Sequence, residues 1–157
     1  MNKYKAKHVF LSSLEHSAEM HCANLIGAIG DKLASGKVWP GVHDTVESHT
    51  LRFSGFGGQR LAAAGCEILD DTVSRAAMIY NVFGQLGYYK KLIKQANEFF
   101  ETNNVDLVVV CDSPAFNFHI AKAAKKHGIP VLFYVAPQLW AWASWRVGKM
   151  RRLVDHV

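Results

Sequence analysis

Leu107-Val108-Val109-Val110-Cys111-Asp112-Ser113-Pro114 opens the stretch that decides the fold, and Gly128-Ile129-Pro130-Val131-Leu132-Phe133-Tyr134-Val135 closes it. Leu107 to Cys111 is a continuous, β-branched apolar run, the pattern of a strand covered on both faces. Pro114 can start a turn, and Phe116 to His127 reads as a helix closed by Gly128, because glycine readily takes the left-handed conformation that ends helices. Pro130 then opens a second apolar run, Val131 to Val135. Strand, helix and strand in this order form a complete βαβ step, which belongs to a parallel sheet.

Upstream, Val9 to Leu11 and Leu51 to Phe53 are further short apolar runs, each followed by helical spacing. The expected fold is therefore an α/β domain of Rossmann type, a parallel sheet flanked by helices. The first helix is expected to start near Ser17, a good N-cap, and to run to about Leu33. Ser35 to Thr50 reads as a long loop, with Gly36, Pro40 and Gly41 as breakers. From about Met78 to Thr102 apolar residues recur at three- and four-residue steps, with Gly84 and Gly87 as expected interruptions. One helix or two fit this pattern equally. After a last helical stretch, Arg146 to Leu153, the chain ends where another strand is expected to begin.

Composition narrows the function. The 157 residues fit one domain with a sizeable core, half of them are hydrophobic and 20% are charged, which excludes a disordered chain. A net charge of +5 and a pI near 9.2 favour anionic partners. The basic residues are not interleaved with any nucleic-acid recognition motif, so no nucleic-acid partner is expected. Cys22, Cys66 and Cys111 are odd in number and widely spaced, which suggests neither a disulfide framework nor a zinc site and points to a reducing cytoplasm. No apolar run approaches the ~20 residues of a spanning helix, so membrane contact is expected to be peripheral. No metal or other cofactor is expected.

Chemistry-bearing residues gather at the expected strand ends. Glu15, Ser17 and Glu19 lie where the first strand turns into the first helix, a position suited to ligands and equally to an N-cap and a first-turn acid. His16 and His21 have no metal-ligand spacing. Ser54-Gly55-Phe56-Gly57-Gly58-Gln59-Arg60 places glycines before the helix Leu61 to Ala64, fitting either a phosphate cradle or a tight structural turn; Arg60 stands where a strict dinucleotide fingerprint has its third glycine. Asp112, at the carboxyl end of the strongest strand, fits a general base on a hydroxyl nucleophile, or a cap at the Ser-Pro step. Tyr134 to Trp142 carries Trp140 and Trp142, whose faces suit sugar rings, acyl chains or a core. Arg146, Lys149, Arg151 and Arg152 make a basic helix. Tyr80, Phe83, Leu86 and Tyr88 beside Lys90 and Lys91 combine aromatic and basic groups as membrane-contact residues do, although packing on the sheet would use the same apolar positions.

In order and separation, four blocks of this chain resemble the lipid-A-disaccharide synthases: Glu15-His16-Ser17 with Ala23-Asn24-Leu25; Gly55 to Glu67; Asp112-Ser113-Pro114 with Phe116-Asn117; and Tyr134 to Pro137 with Trp140-Ala141-Trp142, Arg146-Val147 and Val154-Asp155. The resemblance implies the amino-terminal, acceptor-side half of a two-domain GT-B glycosyltransferase, the carboxy-terminal UDP-sugar-binding domain being absent from these 157 residues. It implies inverting transfer from UDP-2,3-diacylglucosamine to 2,3-diacylglucosamine 1-phosphate at the cytoplasmic face of the inner membrane, forming a β-1,6 bond and releasing UDP without a required metal. It also implies Asp112 as the catalytic acid-base residue, and Glu15, Ser17, Gly57, Gly58, Asn117, Trp140 and Arg146 as substrate-binding residues. Any homodimer contact is expected in the other half. Leu14, Ala18 and Cys22 replace glycines of the family pattern and are expected to hinder backbone approach to a ligand. Glu19 and Ala115 replace aspartates. A fragment of this length is expected to be inactive alone; a non-catalytic lipid- or glycan-binding module and a divergent UDP-sugar enzyme are the alternatives.

Overall fold

The computed structural model describes residues 7–35, 51–78, 82–135 and 145–157. Their order is β1 (Lys7–Ser12), α1 (His16–Ala34), β2 (Leu51–Gly57), α2 (Gln59–Ala63), β3 (Cys66–Asp71), α3 (Thr72–Met78), α4 (Val82–Thr102), β4 (Leu107–Cys111), α5 (Pro114–Lys126), β5 (Val131–Tyr134) and α6 (Trp145–Leu153). All five strands are parallel, in the spatial order β3-β2-β1-β4-β5. The Rossmann-like fold expected from the βαβ step is present. The expected loop at Ser35 to Thr50 lies, beyond Ser35, outside the described residues.

Side chains alternate across the sheet because successive strand residues point to opposite faces. Phe10, Phe56, Val108, Val110, Val131 and Phe133 pack on one face against α4 and α5, with Met150 and Leu153 of α6 at the margin. Leu11, Val109 and Cys111 pack on the other against Ala18, Cys22 and Ile26 of α1 and Leu61 of α2. Phe10 is the hub of the first core, with Phe100 and Phe56 edge-on to it at ring separations of 4.9 and 5.3 Å. Such T-shaped pairs set the electropositive edge of one ring on the face of another.

Several local expectations are corrected. β3 was not foreseen: Cys66-Glu67-Ile68-Leu69-Asp70-Asp71 mixes acids with aliphatics, as an edge strand with one wet side does. Ser54 to Gly57 belongs to β2 rather than to a loop, with a register shift between Gly55 and Phe56. Gly55 is required there, since a Cβ would stand 1.9 Å from the Leu11 carbonyl oxygen. Gly84 and Gly87 do not interrupt α4; they lie within it. Ser17 is not the N-cap of α1, because Glu15 holds that position with an extended backbone and no side-chain cap hydrogen bond. Beyond α6 the chain returns to the sheet. Val131 N–H donates to Asp155 Oδ2 at 2.7 Å, Phe133 N–H donates to the His156 carbonyl at 2.9 Å, and Leu132 and His156 form a parallel bridge.

Candidate active site

The strand order reverses at β1 and β4, and in open parallel sheets the crevice above such a pair of carboxyl ends receives the ligand. The chain brings Glu15 to the end of β1, and Asp112 and Ser113 to the end of β4. Ser113 Oγ donates to Glu15 Oε1 at 3.1 Å, closing the crevice from side to side. Asp112 and Ser113 are both left-handed, with φ of 55° and 41°, and Val135 at the end of neighbouring β5 has φ 62°. Non-glycine residues in this region are strained, and such strain collects at functional sites.

Asn117 maintains this turn. It is fully buried; its Nδ2 donates to the carbonyls of Cys111 at 3.0 Å and Asp112 at 2.7 Å, while its Oδ1 accepts from Ser12 Oγ at 2.7 Å. Asn117, expected at the substrate, thus has its side-chain amide engaged within the protein and tied to the turn that carries Asp112. Asp112 is half-buried, and among the described residues its carboxylate has no hydrogen-bond partner. It caps nothing. The α5 cap position belongs to Ser113, whose carbonyl accepts from the Asn117 N–H at 2.9 Å.

The glycine segment is arranged differently from a ligand cradle. Glu19, only 2% exposed, accepts the N–H groups of Arg60 and Leu61 on Oε1 at 2.9 and 3.1 Å. The chain's own carboxylate occupies the place expected for a phosphate. A Cβ on Gly58 would approach Glu19 Oε1 to 2.8 Å, and one on Gly57 would approach Leu61 Cδ2 to 2.6 Å. These glycines make room for Glu19 and α2. Beside them a polar cleft of about 510 Å³ is lined by His16, Glu19, Gln59, Arg60 and Ser74.

Leu14, Ala18 and Cys22 are buried in the two cores. Ser17 and Ala115 are exposed. The three cysteines are buried and free. Burial pushes the Cys66 thiol up to about 12, and a hydrogen bond with Cys111 together with burial raises Cys22; neither is an activated nucleophile.

Of the expected membrane-contact residues, Leu86, Lys90 and Lys91 are exposed. Tyr88 is not. It is 9% exposed and its hydroxyl donates to Asp70 Oδ1 at 2.7 Å, because the buried carboxylate at the end of β3 needs donors. Lys91 is drawn to the same carboxylate, at 2.9 Å from Oδ2. Tyr80 and Trp140, and the side chains of Phe83 and Arg146, lie outside the described residues. Sequence reading passed over Ser12, Ser113 and the Asp70 cluster, whose partners are 18 to 105 positions distant. Among the described residues no group of His, Cys, Asp and Glu could hold a metal ion, and no helix is long and apolar enough to cross a membrane.

A doubly wound parallel sheet with helices on both faces, and a carboxylate at its switch point, defines a Rossmann-like domain. Residues 9–157 match the family model described as lipid-A-disaccharide synthetase, and the chain belongs to that family. It is 38% identical over 108 residues to a lipid-A-disaccharide synthase of Coxiella burnetii (strain Dugway 5J108-111), covering 68% of this chain and 29% of that protein. A synthase of Nitrosococcus oceani is 36% identical over 143 residues, 90% of this chain and 33% of the relative. One of Trichlorobacter lovleyi is 30% identical over 154 residues, 98% of this chain and 36% of the relative. The chain thus spans about a third of the length of these relatives.

Proposed function

We propose that this chain is the acceptor-side domain of a lipid-A-disaccharide synthase, which transfers a diacylglucosaminyl group from UDP-2,3-diacylglucosamine to 2,3-diacylglucosamine 1-phosphate. The observation that carries the reading is the Asp112 carboxylate, without a hydrogen-bond partner among the described residues and held in a strained turn at the β1/β4 crevice. In the proposed step Asp112 takes the proton from the acceptor 6-hydroxyl. The oxygen attacks the anomeric carbon of the donor from the face opposite UDP, the bond to the diphosphate breaks, and the β-1,6 linkage forms with inversion. Glu15 and Ser113, hydrogen-bonded to each other, and exposed Ser17 would bind acceptor hydroxyls. A UDP-sugar-binding domain, carried on a longer protein, would stabilise the departing diphosphate. The reaction would occur on the cytoplasmic surface of the inner membrane, where Leu86 and Lys90 supply exposed apolar and basic contacts.

The test is disaccharide formation from detergent-dispersed donor and acceptor, with the full-length enzyme and this chain assayed side by side. Product from the long protein alone supports the assignment. A folded long protein that forms none overturns it.

A further inference from the structure

The sheet face covered by α4, α5 and α6 bears the excess positive charge of the chain. α5 and α6 contain no acidic residue and α4 only Glu98 and Glu101, whereas α1 on the opposite face sets Glu19 and Asp31 against Lys32. Between α4 and α5 runs a groove of about 500 Å³. Exposed Lys90 and Lys94 stand on one side and exposed Lys122 and Lys126 on the other, with the more buried Ile93 and Ala123 between them. Three- and four-residue steps along both helices bring these positions onto facing stripes. Leu86, one turn before Lys90 on the same stripe, is 53% exposed. Only Lys94 has an acidic neighbour, Glu98 at 3.6 Å; among the described residues Lys90, Lys122 and Lys126 have none.

We propose that the α4–α5 groove docks the protein on an anionic phospholipid bilayer, with lipid phosphates taken by its four lysines and Leu86 entering the interface. This rests on the membrane-surface part of the proposed function. The chemistry favours a bilayer over one specific phosphate ligand. The cations are flexible ammonium groups spread along the groove, without an arginine fork or a buried charged side chain to define one anion. Their aliphatic stems and the apolar floor match the acyl boundary, while the ammonium heads reach the phosphates. The positive field extends to His119 between the lysines. Its imidazole is held below its ordinary range by burial first, and then by Lys149 and Lys122.

Sedimentation of the full chain with phosphatidylcholine vesicles, with and without phosphatidylglycerol, tests this directly. Binding is expected only to the anionic vesicles, with release by added salt. Replacing Lys90, Lys94, Lys122 and Lys126 together by glutamine should weaken it by roughly a hundred- to six-hundredfold, from about three- to fivefold per lysine. Should the quadruple variant not fold, the Lys122→Gln/Lys126→Gln pair on α5 should cost about tenfold, while Lys32→Gln on α1 should leave binding unchanged. Equal binding to neutral vesicles, or undiminished binding by the folded lysine variants, overturns the proposal. So does absence of binding to either vesicle, and salt-sensitive retention on polyglutamate would then assign the groove to an acidic protein partner. Vesicle binding requires no turnover and the transfer assay uses no vesicles, so failure of either reading is seen separately.

Discussion

Asp112 combines two features that rarely coincide in a residue serving only the fold: a left-handed backbone and a carboxylate that caps and pairs with nothing among the described residues. In the full-length enzyme, Asp112→Ala is expected to lower kcat by on the order of a hundredfold or more while leaving the melting temperature within a degree or two. Near-normal turnover would remove it from the mechanism. Asn117 behaves oppositely. Replacing it by alanine leaves Ser12 Oγ and the carbonyls of Cys111 and Asp112 without their buried partner, at a cost of about 2 kcal/mol in urea unfolding. If unfolding is unaffected, the network does not hold the turn. The importance of Asp112 was legible from its place after an apolar strand. The engagement of Asn117 was not, because Ser12 is 105 positions away.

The elements read most easily were those whose residues share one environment. β4 is apolar throughout and α5 is bounded by Pro114 and Gly128, so local chemistry sets their limits. β3 and the end of β2 escaped because their character depends on neighbours: acids suit an edge strand, and Gly55 is demanded by the adjacent strand. Two glycine substitutions of opposite sign follow. Gly55→Ala forces a Cβ against the Leu11 carbonyl and should cost about 3 kcal/mol or more, since backbone rather than a flexible side chain must yield. Gly27→Ala, in α1 with no heavy atom within 4 Å of the new Cβ, should add about 0.5–1 kcal/mol. Chemical denaturation of both variants checks the pair; equal effects would contradict the packing described for β1 and β2.

At the scale of the whole molecule, the ionisable groups make stability depend on acid. Burial opposes ionisation of Asp70, but hydrogen bonds from Tyr88 and Lys91, with the nearby Lys91 and Arg75 charges, outweigh it and hold its carboxyl below the usual range. The Lys125 ammonium, then the Val131 N–H, do the same for Asp155. Burial, reinforced by Arg52, lowers His8 from its ordinary 6.5, and burial lowers His119 as well. In each case the unfolded chain binds its proton at higher pH than the folded one. Stability is therefore complete above the unfolded values and falls as pH descends through the folded ones. The melting temperature should be level near pH 8, decline below about 6.5 as the histidines titrate, and fall more steeply below about 4. A level profile from pH 7 to 3 would show that these groups do not differ between the two states. The sequence by itself determined the parallel α/β sheet, the carboxylate at the end of β4 and, through the joint order of its motifs, the family. Apolar runs, capping residues and motif spacing are local properties, written one residue after another. Only the tertiary structure decided that Glu19 fills the glycine cradle, that Asn117 and Tyr88 face inward, and that lysines from two helices line one groove. Each depends on which distant residue satisfies a buried polar group or shares a surface, and sequence separation carries no record of that.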